Sequence, residues 1–144
     1  METTVSSRPT NDTIFCASRK EYVQHTPEES VRQGTLSSLF SLGYPHSLIV
    51  VEKKLSELVA QKQKVPNRRV DILCYRATEG ALEPLLLVEC KANTFNDKEL
   101  RQLLGYNFYL GAPYIALIAP SKVVFYDLSR QISQEYIPPF EKIT

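Results

Sequence analysis

The stretch LLLVECKANTFNDKELRQLLGYNFYL, residues 85–110, opens as a run of branched apolar residues and closes as a polar and aromatic segment of helical length. In a strand, residues two apart share a face. Leu85, Leu87, Glu89 and Lys91 therefore line one side, and Leu86, Val88 and Cys90 the other. A strand that is apolar on both sides is buried on both. A carboxylate and an ammonium at its end then emerge where the core stops. After them the spacing predicts a helix over residues 96–110, closed by Gly111 and Pro113.

Upstream, RRVDILCYR (68–76) reads as a strand joined to this one by the hairpin-like TEGALEP (78–84). SLIVVEKKL (47–55) reads as a strand before it. The segment between them, SELVAQKQKVPN (56–67), fits a short helical turn or a loop equally well. HTPEESVRQ (25–33) is a helix start, with Thr26 as N-cap, Pro27 in the first turn and Glu29 placed for a capping box. Val31, Leu36, Leu39 and Leu42 give that helix an apolar side, and Gly43 and Pro45 stop it. Downstream, YIALIA (114–119) and VVFYDL (123–128) are two strands around a PSK turn.

The order helix, three strands, helix, two strands implies an α/β fold, a mixed central sheet flanked by helices. Residues 1–12, rich in Ser, Thr and Asn, are expected to be disordered. TIFCA (13–17) offers a short edge strand and SRKEYV (18–23) a turn of helix. One domain spans 13–130, and residues 131–144, with QEYIPPFEK, form an extended tail.

A chain of 144 residues, 43% apolar and 23% charged, suits one core. A net charge of +1 gives no global field for nucleic acid, so such a partner needs a local patch. Cys16, Cys74 and Cys90 lack CxxC spacing and read as buried thiols. His25 and His46 lack ligand partners at useful spacing. No apolar run reaches membrane-span length, and the polar start resembles no signal peptide, so a cytoplasmic location is expected. There is no GxxxxGK[ST], hence no P-loop motor.

Asp71 lies near one end of its apolar strand, so neighbouring strands can bring it beside Glu89. Two carboxylates about 4 Å apart repel by about 4 kcal/mol at an effective dielectric near 20. A shared proton, a cation or separation must offset this. A divalent metal suits hard oxygens and leaves room for water and phosphate. The Cys90 carbonyl is a further candidate ligand, and Lys91 is placed to act on a phosphate or its attacking water. The plain alternatives are a surface ion pair between Glu89 and Lys91, and Asp71 answering Arg68 or Arg69.

On the following helix, Leu100, Leu103, Leu104 and Asn107 form one stripe, and Gln102, Tyr106 and Tyr109 another. The second is either a half-exposed face or an edge that contacts nucleic acid. Glu29 either caps its helix or reaches the site, with Glu28 beside it as substitute. Lys53, Lys54, Lys62, Lys64, Arg68 and Arg69 gather around the loop before Asp71, as a solvated face or as a phosphate-facing rim.

The segments TPEESVRQ, LGYPHSLIVVEKKL, RRVDILCY, LLLVECKA, RQLLGYN and GAPYIAL together resemble the PD-(D/E)XK nuclease superfamily. More narrowly they resemble the N-terminal nuclease domain of type I restriction enzyme R subunits, over residues 13–127. The resemblance implies a restriction-endonuclease-like fold and Mg²⁺-dependent hydrolysis of DNA, with Mn²⁺ as a substitute ion. It implies Asp71 and Glu89 as metal ligands, Lys91 as the catalytic lysine, Gln102 and Tyr106 as a Q-x-x-x-Y motif, and Glu29 as the first-helix acid. Val70 stands where the superfamily has its proline. Without a motor motif, a separate motor or specificity protein is an expected partner, as is a homodimer that cuts both strands. The alternative function is a catalytically silent DNA- or protein-binding module that keeps the fold.

Overall fold

A computed structural model describes residues 12–59 and 64–144, together with the backbone of 5–6. Two sheets organise it. A small antiparallel sheet joins β1 (Val5–Ser6), β2 (Thr13–Cys16) and β3 (Glu21–Gln24) in the order β1-β3-β2. The main sheet has six strands: β4 (Ile49–Lys54), β5 (Arg69–Thr78), β6 (Ala81–Cys90), β7 (Tyr114–Ala119), β8 (Lys122–Asp127) and β9 (Ile132–Gln134). They lie in that order, and all pairings are antiparallel except β6 with β7. The parallel pair needs a crossover, which α3 (Asp97–Leu110) supplies. The mixed sheet with flanking helices is the fold class the sequence implies.

From Leu86 onward the alternation of β6 separates two apolar clusters, while Leu85, expected to share a face with Leu87, packs on the side of Leu86. Leu86, Val88 and Cys90 pack with Ile72, Cys74 and with Leu36 and Leu39 of α1 (Pro27–Ser41). Leu87 packs on the other side with Leu73, Ile115, Leu117 and Leu103 of α3. The helices thus cover opposite faces, and β6 is buried twice over, as its composition requires.

Each helix is fixed at its ends. Thr26 Oγ1 accepts from the Glu29 N–H at 3.0 Å, which starts α1. Asn96 and Glu99 form a complete capping box on α3, and Gly111 closes it at a φ of 72°. The last turn of α3 is clamped to the link that leads into β7. Asn107 Nδ2 donates to Ala112 O at 2.8 Å, and its Oδ1 accepts from Ala112 N at 2.9 Å.

Several local expectations change. SRKEYV is not helical: a turn leads into β3, because Tyr22 and Val23 favour a strand once β2 pairs with them. TIFCA does form an edge strand, but in the small sheet. The undecided segment after β4 opens with one helical turn, α2 (Leu55–Leu58). The hairpin strands run further than expected and meet at Glu79 and Gly80. The C-terminal stretch is no free extension. It adds β9 to the sheet, then packs back: Tyr44 Oη donates to Pro138 O at 2.8 Å, and α4 (Phe140–Ile143) sets Phe140 against the Tyr44 ring. Its prolines favour an extended chain, but Ile137 and Phe140 have apolar surface to bury. Most of the expected disorder at 1–12 falls outside the described residues. The leucine stripe of α3 is also incomplete, since Leu104 is exposed.

The Asn107 clamp is a test of how α3 is held. Asn107→Ala leaves a buried carbonyl and N–H unpaired and is expected to cost about 1–3 kcal/mol, measured by urea unfolding. No loss would mean that helix capping alone fixes α3.

Candidate functional site

β5 and β6 pair as far as Ile72 with Val88 and then part. Asp71 fills the gap: its Oδ2 accepts from the Cys90 N–H at 2.9 Å. This places Asp71 beside Glu89. Carboxylate oxygens of Glu28, Asp71 and Glu89 lie within 4.8 Å of one another. Glu28 arrives from the exposed first turn of α1, while Asp71 and Glu89 are buried.

The charge balance follows from that crowding. Burial, the hydrogen bond with Asp71 and its negative charge push the Glu89 carboxyl up to about 9, against the opposing charges of Lys91 and Arg68. Burial alone would also raise Asp71. The Glu89 hydrogen bond, the Arg32 guanidinium and the Cys90 N–H overcome it and hold Asp71 below the ordinary range. The pair therefore shares one proton, held on Glu89. Glu28, exposed at its rim but partly covered where it meets the cluster, is raised by that partial desolvation and by the charge of Asp71.

Arg32 is the central cation. It lies on the sheet-facing stripe of α1, where Glu29, Arg32, Leu36 and Leu39 are all buried. Its Nε and Nη2 donate to Asp71 Oδ1, Nη2 also reaches Glu52 and, at 3.5 Å, Glu28, and Nη1 donates to Glu29 Oε1 at 2.8 Å. Burial would lower its pKa, but the surrounding carboxylates raise it, so it stays charged. Glu52 holds a left-handed φ of 56° opposite this point. Such a conformation costs a non-glycine residue of order 1–3 kcal/mol. Its carbonyl is tied by Arg69 Nη1 at 2.9 Å.

Glu29 differs from both of its expected uses. Its carboxylate does not close a capping box; it takes Arg19 at 2.7 Å, Arg32 at 2.8 Å and Gln33 at 2.9 Å. Glu28 joins the cluster in its place, because one residue along a helix turns the side chain by about 100°. Lys91 is half-buried, its N–H donates to Ile118 O, and its charge acts on Glu89. Cys90 touches the cluster through its N–H, and its thiol packs near Thr35.

The rim divides. Arg68 Nη2 stands 3.8 Å from Glu89 Oε1, and its guanidinium lies over the Tyr106 ring at 4.8 Å. Tyr106 is thereby linked to the carboxylates, whereas Gln102, one turn earlier, is exposed. Lys53, Lys54, Lys64 and Arg69 are exposed, and Lys62 lies outside the described residues. Asp71 does not pair with Arg68 or Arg69 among the described contacts; Arg32 answers it instead.

Arg32 and Glu52 are the site residues that the sequence reading missed. Arg32 had a signal: it falls three residues after Glu29 and four before Leu36, on the buried stripe, and an apolar count passes over it. Glu52 had none, since its position depends on a backbone conformation.

A family model described as type I restriction enzyme R protein N terminus (HSDR_N) matches residues 27–140. The chain belongs to this family. The match takes in α1, the main sheet and α3, hence every residue of the cluster, and starts after the small sheet. No curated protein and no solved structure matches the chain. No helix among the described residues is long and apolar enough to cross a membrane.

Three carboxylate oxygens at this separation are hard donors of the kind that could hold a divalent ion. The raised Glu89 gives a stability test without any ion. Its protonated form favours the fold; that stability is in place below the ordinary Glu value of 4.5 and is lost as pH rises towards about 9. Glu89→Gln mimics the protonated form. It is expected to melt higher than the parent at pH 8 in chelator, by about 2–4 °C per 1 kcal/mol, and equally at pH 4. A lower melting point at pH 8 would contradict the buried, proton-sharing pair.

Proposed function

We propose that the protein is a divalent-ion-dependent deoxyribonuclease, acting as the nuclease-like domain of a type I restriction system. The observation that supports it is the meeting of Glu28, Asp71 and Glu89 within 4.8 Å, at the sheet end that carries Lys91. Asp71, Glu89 and Glu28 would hold Mg²⁺ or Mn²⁺, with the Cys90 carbonyl as a further ligand. When bound, the ion supplies neutralisation of charge on the phosphate oxygens.

The chain's own groups do the rest. Lys91 follows directly on β6, and its N–H is held by Ile118 O of β7, so its ammonium needs little reorganisation to orient a water or a phosphate oxygen. Glu89, once ionised, keeps Lys91 close. Tyr106 and Gln102 face the approaching DNA strand from α3, and Arg68 links that face to the cluster. Lys53, Lys54, Lys64 and Arg69 would form the phosphate-binding rim, which gives sequence-independent affinity that falls with salt; Lys62, expected with them from the sequence, lies outside the described residues. Cutting both strands calls for two sites, so a homodimer or a separate motor and specificity protein would complete the system.

One observation favours the second reading, a binding module without turnover: Arg32 already neutralises Asp71 and Glu28. The two readings part in a cleavage assay on linear, circular and single-stranded DNA with Mg²⁺ or Mn²⁺. A nuclease cuts, and Lys91→Ala lowers the rate by about 10²–10³ with unchanged circular dichroism. Asp71→Asn removes ion-stimulated cutting. DNA binding with no hydrolysis at any ion concentration would establish the silent module, and equal cutting by Lys91→Ala would remove that residue from the reaction.

A further inference from the structure

We propose that Arg32 is the resident counter-cation of the carboxylate cluster, and that a divalent ion binds only by displacing its guanidinium from Asp71 and Glu28. The inference rests on the divalent-ion reading above and concerns what the ion must displace.

Two of the three candidate ligands are already in contact with Arg32. Its Nε and Nη2 share Asp71 Oδ1, and Nη2 lies 3.5 Å from Glu28 Oε1. The other Asp71 oxygen is committed to the Cys90 N–H. Oδ1, which accepts from both Nε and Nη2, cannot take an ion until Arg32 leaves it, and an ion on the remaining acceptor site of Oδ2 would still face the guanidinium across the same carboxylate. A guanidinium and a divalent ion repel each other strongly at such range, and the buried setting screens them poorly.

Arg32 also has somewhere to stay. Nη1 donates to Glu29, which is outside the cluster and is anchored by Arg19 at 2.7 Å and Gln33 at 2.9 Å. Nη2 reaches Glu52, likewise outside it. Release of Asp71 and Glu28 leaves both contacts, so the cation need not be stranded in a dry interior. Arg32 is on this account a positioning residue. It keeps the acids together when no ion is present, and it weakens ion binding by competing for Asp71.

The test measures Mn²⁺ affinity of the full chain by calorimetry and electron paramagnetic resonance, without DNA. Arg32→Gln is expected to bind Mn²⁺ about tenfold more tightly, and Arg32→Lys, which keeps the charge, to return towards the parent. Unchanged or weaker binding by folded Arg32→Gln overturns the proposal. Should that variant fail to fold, the parent itself decides. The Arg32 Nε–H, seen by ¹⁵N NMR, should exchange faster with water at saturating Mg²⁺, and an unaltered rate overturns it. Mn²⁺ bound by neither chain also overturns it. If ion and arginine compete yet DNA stays intact, hydrolysis alone is refuted.

Discussion

Asp71 is a buried carboxylate in the gap where two core strands separate, and the charge it carries sets the terms for its neighbours. An unpaired ion in such a place would cost several kcal/mol. Three partners prevent this: the Cys90 N–H, the proton on Glu89 and the guanidinium of Arg32. Arg32 is itself buried and needs more than one anion, which Glu29 and Glu52 provide. Glu29 in turn is held by Arg19, whose Nε donates to the Cys16 thiol at 3.2 Å. Compensation thus passes from the small sheet through α1 to the main sheet. On the far side it continues from Glu89 to Arg68 and the face of Tyr106.

That chain of charges lies over a conventional apolar scaffold. β5, β6 and β7 are buried on both faces, and α1 and α3 lie on opposite sides of them. The sheet fixes the backbone at Glu89 and Lys91, so the side chains start from defined positions. α1 makes both contributions in one helix, since its buried stripe is charged at Glu29 and Arg32 and aliphatic at Leu36 and Leu39. The C-terminal half secures the helix, and the N-terminal half brings acids and a base to the sheet end. Local rules are broken where the charges meet, at Glu52 and at the parting of β5 from β6, as is common where chemistry is housed.

What the sequence made legible follows from this division. β4 to β8 could be read because dense runs such as LLLVEC admit few other states, and α3 because both of its ends carry strong caps; β9, three residues in a stretch expected to be a tail, could not. The neighbourhood of Asp71 and Glu89 could be read because charged groups at core-strand ends have few places to go. Arg32 was hidden because a charged residue on a buried stripe leaves no apolar signature. The choice between Glu28 and Glu29 turned on the rotation of α1 about its axis, which the sheet decides. β3 was misjudged because four residues give no period, and its partners are set by pairing across a turn. The packing of Phe140 depended on Tyr44, nearly a hundred positions earlier, beyond any local pattern.

The same arrangement bears on which cation the cluster can accept under the proposed reading. Before any ion arrives, the three acids are already partly neutralised by one shared proton and by one guanidinium. A monovalent ion that entered would replace two positive charges with one and would leave net repulsion among the carboxylates. A divalent ion would bring both charges to a single point that Glu28, Asp71 and Glu89 could hold together. Lys91 and Arg68 press the same way, because each lowers the cost of ionising Glu89 when its proton leaves. Selectivity in such a site comes from the charge that must be displaced as much as from the ligands that remain.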